Sequence, residues 1–151
     1  MNQQNYYSMG IDAHKRFCGQ VHVLDPHGET VWKGRINNED YGTFTDIVRG
    51  LDLPCKAVFE SSTNWHVLYD LLGAIEGVEE VMMAHPLKVK MICAAHLKND
   101  KVDAHRLAML LRLDMVPCAH ATGPEARSIK ELVRQRASWV GMQTRMRRSS
   151  R

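Results

Sequence analysis

Apolar and polar residues alternate from the start of the chain. Tyr7, Met9 and Ile11 interleave with Ser8, Gly10 and Asp12, the period of two that predicts a strand over 6–12 with Asp12 at its end. Residues 17–24 read as a second strand, with Val21 and Val23 on one face. Asp25-Pro26-His27-Gly28 is a turn, and residues 29–36 form a third strand, so the second and third make a hairpin. Asn37-Asn38-Glu39-Asp40 offers an N-cap and first-turn acids for a helix to about Gly50, with Tyr41, Phe44, Ile47, Val48 and Leu51 as its apolar face. Residues 55–59 then run almost wholly apolar, as a buried central strand does, and Glu60 ends them. Ser61-Ser62-Thr63-Asn64 supplies caps for a helix over 65–75. Residues 78–84 are another buried strand, and Pro86 opens a short helix to about Ala95.

Ala104, Leu107, Ala108 and Leu111 fall at i, i+3, i+4 and i+7 and predict a helix from about Asp100 to Asp114. Extended backwards, that stripe passes through Asp103 and Asp100, and no basic residue shares it. Met115–Cys118 is a short extended piece, and Thr122-Gly123-Pro124 marks a boundary. From Glu125 a last helix carries a stripe that is only partly apolar: Ile129, Leu132, Val133, Arg136, Val140 and Thr144. The order β-β-β-α-β-α-β-α with a trailing helix predicts an α/β fold, a mixed sheet flanked by helices as in ribonuclease-H-like domains. The expected division is 1–122 for that domain and 123–151 for a basic helix.

Composition leaves this picture in place and adds an asymmetry. The 151 residues suffice for one domain with a real core, and no apolar run spans a membrane. The polar start Met1-Asn2-Gln3-Gln4-Asn5 lacks a signal-peptide core, so a reducing, cytoplasmic setting is expected. Four dispersed cysteines and eight scattered histidines make no zinc pattern. Residues 1–123 carry 12 Lys/Arg against 15 Asp/Glu, and residues 124–151 carry 8 against 2. An acidic body with a basic tail points to a polyanion partner met by the tail arginines Arg134, Arg136, Arg145, Arg147 and Arg148. The same arginines also suit a coiled coil or a solvated helix face.

The acids define the candidate chemistry. Asp100 and Asp103 on an inward stripe need a partner, because a buried carboxylate is costly when unpaired. A divalent cation answers that need. So does a helix that starts there, with Asp100 as N-cap and Asp103 as a first-turn acid favoured by the helix dipole. Asp12 and Glu60 each close a strand, and sites in open α/β sheets form at the carboxyl ends of strands. In a ribonuclease-H-like sheet the first and fourth strands are neighbours. Four carboxylates gathered this way call for hard cations, Mg²⁺ or Mn²⁺. His14 and His105 lie near these acids in sequence. Trp32, Trp65 and Trp139 suit either base stacking or packing.

Three stretches carry a resemblance. Met9-Gly10-Ile11-Asp12 with Lys15, Phe59-Glu60-Ser61-Ser62, and Lys98-Asn99-Asp100-Lys101-Val102-Asp103-Ala104 resemble the motifs of the DEDD-type insertion-sequence transposases, the insertion-sequence 110 group that includes a pilin-gene invertase. The resemblance covers most of residues 6–120. It implies a RuvC-like fold and Mg²⁺-dependent DNA strand cleavage and exchange, with Mn²⁺ as a substitute ion. It also implies a catalytic, metal-binding tetrad of Asp12, Glu60, Asp100 and Asp103. Lys98 and Lys101 would contact phosphate or stand in solvent. Members are recombinases guided by a structured RNA, so this chain is expected to work as a homo-oligomer on DNA, with such an RNA as a further partner, in the bacterial cytoplasm at the nucleoid. Their full-length chains continue through a coiled coil into a domain with a catalytic serine. This chain stops near the start of that coiled coil, so residues 1–151 are expected to be incomplete as a recombinase. A non-catalytic nucleic-acid-binding and dimerisation fragment is the alternative. An ATP-binding relative of the same fold is disfavoured, because no Gly-rich loop follows Asp12.

Overall fold

A computed structural model describes residues 4–13, 19–37, 40–60, 65–94, 103–119 and 123–149, without the side chains of 94, 124 and 147–149. The elements are β1 (Tyr7–Asp12), β2 (Gly19–Leu24), β3 (Thr30–Ile36), α1 (Gly42–Arg49), β4 (Cys55–Glu60), α2 (Trp65–Gly73), β5 (Val78–Ala84), α3 (Pro86–Ala94), α4 (Ala104–Arg112) and α5 (Pro124–Ser149). The chain divides into two compact units, Met1–Ala119 and His120–Arg151.

In the first unit five strands form one sheet in the order β3-β2-β1-β4-β5. β1, β2 and β3 are antiparallel in turn, while β4 lies parallel to β1 and β5 parallel to β4. This is the mixed α/β sheet with flanking helices of the ribonuclease-H-like fold, as the element order predicts. The hairpin turn owes its shape to Asp25, whose Oδ1 accepts from the backbone N–H of His27 and Glu29 at 2.9 and 2.8 Å. Gly28 follows in the left-handed region at φ +95°.

Gly10 presents its face of β1 to α4. A Cβ there would lie 2.0 Å from the Ala104 carbonyl oxygen and 2.5 Å from the Ala108 nitrogen, so only glycine admits the helix backbone this close. α4 packs on β1, β2 and β4. Its Leu107, Leu110 and Leu111 join Val58, Ala84 and Val89 in a core on this face, with Cys93 and Ile92 of α3 packed against it. Arg112, at the far end of α4, donates to the Pro26 carbonyl in the hairpin turn at 3.2 Å. That turn adjoins Leu24, the partner of Ser8. The N-terminus of α4 therefore points toward the Asp12 end of β1.

Two helix starts differ from the sequence expectation. The first helix begins at Gly42, with Tyr41 at the cap position, no side-chain cap bond and no acid in its first turn. Asp40 is spent on the Thr43 hydroxyl, which it accepts at 2.7 Å. α4 begins at Ala104, so Asp103 is its N-cap rather than a residue on its inward stripe. The extended backbone at Asp103 (φ −102°, ψ 168°) lets its carboxylate take the Arg106 N–H. Among the described residues no helix is long and apolar enough to cross a membrane.

α5, in the second unit, is a 26-residue helix. Ile129, Leu132, Val133, Trp139, Val140 and Met146 are exposed along it, as are Arg134, Arg136 and Arg145. Arg134 stands 3.8 Å from Glu131 in solvent, and Arg145 Nε donates to the Gly141 carbonyl at 3.4 Å. The side chains of Arg147 and Arg148 lie outside the described residues.

Candidate functional site

Asp12 ends β1 and Glu60 ends β4. Gly10 lies opposite Val58, and Ile11 opposite Phe59, across the parallel pair. Asp12 and Glu60 are the next positions in that register, on strands about 4.8 Å apart. Alternate residues share a face, so both carboxylates project on the α4 side with Gly10 and Val58. The entry to β2 presses on the same corner. Gly19 has φ +104°, and a Cβ there would meet the Asp12 carbonyl oxygen at 1.5 Å. Any larger residue would push the backbone that carries the acid.

Glu60 is half-buried, and its carboxyl is held above the ordinary range. Burial is the main cause, and the Asp12 carboxylate adds to it; the Lys90 ammonium on α3 works the other way. Oε1 of Glu60 is buried with no hydrogen-bond partner among the described residues. Such an oxygen is expensive to leave unmatched. The Cys93 thiol, also on α3, is raised first by burial; Asp103 and Glu60 push it up further, against Arg106. Asp103 and Glu60 thus act on one common point. Asp103 Oδ1 accepts the Arg106 N–H at 2.9 Å, which occupies one of its oxygens.

The structure therefore brings Asp12 and Glu60 together and sets Asp103 at the head of the helix that covers them. Among the described residues no three His, Cys, Asp or Glu side chains are gathered closely enough to hold a metal ion. Asp100, Lys98, Lys101, His14 and Lys15 lie outside the described residues. The donors present are hard oxygens, and the unmatched Glu60 oxygen fits a divalent cation better than it fits a closed structural pair.

The family model of the IS110-group DEDD transposases, described as a transposase, matches residues 9–151. The chain belongs to that family. No curated protein matches it. Asp12, Glu60 and Asp103 of this DNA transposase domain all fall inside the matched span, and the family generally uses divalent metals.

Several groups around the acids of the transposase domain escape the sequence pattern. The surroundings are not without a cation: the Lys90 ammonium acts on Glu60, and the Arg106 guanidinium on Cys93. α3 has no clear apolar stripe, so its inward side cannot be read from periodicity. Val89, fully buried, is the one signal, with Lys90 and Cys93 following it. His22 is the other. Its ring meets His105 edge-on at 4.7 Å. Burial holds it below the usual imidazole value, helped by His105 and Lys33 and opposed by Asp103.

Proposed function

We propose that this chain is the catalytic RuvC-like domain of a transposase that cleaves and transfers DNA strands with Mg²⁺, directed in the full-length protein by a structured RNA. One observation carries the reading: the buried, unmatched oxygen of Glu60 beside Asp12 at the strand ends. Asp12 and Glu60 would hold the ion, with Asp103 and Asp100 completing its oxygen ligands. Bound there, a divalent ion would supply a Lewis acid for the charge that develops on a phosphate under attack. Asp12 and Glu60 are set at neighbouring strand ends by the β1–β4 register, where both would reach a common ligand. Asp103 is fixed at the head of α4 by the Arg106 N–H, and its second oxygen would be its ligand to the ion. Lys90 offsets part of the negative charge on Glu60.

The test is a crystal grown with Mn²⁺ and measured at the manganese edge, with an Mn²⁺ titration of Asp12→Asn beside it. A peak between Asp12 and Glu60, with affinity lost in the variant, is the expected result. Undiminished Mn²⁺ affinity in Asp12→Asn sinks the reading. A second reading, a nucleic-acid-binding and dimerisation module, draws on α5, where exposed Ile129, Leu132 and Trp139 share one helix with exposed Arg134, Arg136 and Arg145. It predicts salt-sensitive nucleic-acid binding that truncation at Gly123 abolishes, checked by gel shift.

A further inference from the structure

The β2–β3 ribbon continues the sheet face that carries Asp12. Asp12 pairs with Gln20 and Gly10 with His22, while Gln20 pairs with Arg35 and His22 with Lys33. Paired residues share a face, so Gln20, His22, Lys33 and Arg35 all stand on the side covered by α4. Between this ribbon and the head of α4 lies a cleft of about 480 Å³, lined among others by Gln20, His22, Lys33, Arg35, Asp103 and His105. His22 and His105 meet edge-on there, and His22 Nε2 lies 2.8 Å from the Thr30 hydroxyl. Lys33 and Arg35 are exposed, and neither has an ion-pair partner among the described residues.

The charge of this cleft is opposite to that of the strand ends next to it. Two permanent cations and a helix N-terminus face the space, and the one carboxylate lining it, Asp103, is engaged by its own helix. Lys33 and Arg35 stand two residues apart on an extended strand, about 6.8 Å, so they reach successive anionic groups along a chain rather than one ion. β3 is at the edge of the sheet, which leaves the cleft open along its length.

We infer that this cleft seats the phosphodiester backbone of a nucleic-acid strand and leads it to the Asp12–Glu60 pair, with Lys33 and Arg35 as ionic contacts and Gln20 and His105 as polar ones. Its purpose rests on the proposed strand-cleaving site, but the seat itself does not need a metal, and the two are tested separately.

The experiment uses the whole chain. Fluorescence anisotropy in EDTA follows binding of a labelled single-stranded DNA, its duplex and an RNA of the same sequence across a salt series. Lys33→Ala with Arg35→Ala is expected to weaken binding roughly tenfold near 100 mM salt. It should flatten the log–log salt slope by about 1.4 for a single strand or about 1.8 for duplex DNA. The strand whose slope flattens is the occupant. The charge-keeping pair Lys33→Arg with Arg35→Lys retains the wild-type slope. No binding by the wild type, an unchanged slope in the alanine pair for all three nucleic acids, or equal loss in the charge-keeping pair overturns the inference. Mn²⁺ titration without nucleic acid separates the two readings. The alanine pair binds the ion as wild type does, and Asp12→Asn keeps its nucleic-acid binding in EDTA even where the metal reading fails.

Discussion

Gly10→Ala joins the fold and the site in one perturbation. The new Cβ would stand 2.0 Å from the Ala104 oxygen and 2.5 Å from the Ala108 nitrogen, both backbone atoms that no rotamer can move. An ordinary carbon–oxygen contact is about 3.3 Å, so the first turn of α4 must lift by about 1.3 Å. Overpacking of this kind costs about 1–3 kcal/mol, and a clash with two backbone atoms of the covering helix belongs at the upper end. With a urea slope of about 1.5 kcal/mol per molar, a loss near 3 kcal/mol lowers the midpoint by about 2 M. The same lift carries Asp103 away from Asp12 and Glu60, so Mn²⁺ affinity falls in the protein that remains folded. Leu107→Ala is the comparison. Leu107 is fully buried, and its loss costs about 2–5 kcal/mol by leaving a cavity, without pushing the helix off the sheet. It should match Gly10→Ala in urea yet keep its Mn²⁺ affinity. A Gly10→Ala protein whose midpoint and Mn²⁺ affinity both equal wild type would refute the packing argument.

Three other outcomes follow from the same geometry. Glu60 has a raised carboxyl value in the folded chain, so its ionisation costs stability as pH rises through the range between its unfolded and folded values. Metal-free Glu60→Gln should therefore melt above wild type at pH 7, with the gap closing as pH falls toward 4; calorimetry across pH reads this, and a pH-independent gap counts against it. Asp103→Asn keeps the helix cap, because Asn caps as well as Asp, but weakens Mn²⁺ binding, whereas Asp103→Ala also loses about 1 kcal/mol of stability. Equal urea midpoints for the two variants would mean that the cap contributes nothing. Burial pushes the Cys55 thiol up to about 12, so an alkylating reagent at pH 8 should spare it while modifying exposed Cys118, as peptide mass spectrometry would show.

The strands were the most legible part of the chain, because each has a pattern that a strand explains. Alternation at Tyr7–Asp12 and the apolar run at Cys55–Phe59 both mark strands, and both prove buried on their two faces, β1 because its small Ser8 and Gly10 are covered as fully as Met9 and Ile11. From these the neighbouring positions of Asp12 and Glu60 follow once β1 and β4 pair. Helix starts were less legible. A cap and a first-turn acid are chemically the same residue types, so Asp103 could be read either way until its backbone angles placed it outside the helix. Lys90 and Arg106 were not legible at all, since their action on Glu60 and Cys93 depends on how α3 and α4 pack rather than on any local repeat. The basic cleft was hidden for a related reason. Lys33 and Arg35 look like solvated residues of an edge strand until the register puts them in line with Gln20 and Asp12.

The packing of α4 on β1 also sets an order in time. Asp12 is among the first residues of the domain to leave the ribosome, and Asp103 follows 91 positions later. The hairpin can close early, since its partners are close in sequence. The site cannot, because its roof is the last helix of the sheet domain, and joining such distant segments is the slow step of a topology rich in long-range contacts. During synthesis Asp12 and Glu60 can therefore meet through β1 and β4 before Asp103 arrives with α4.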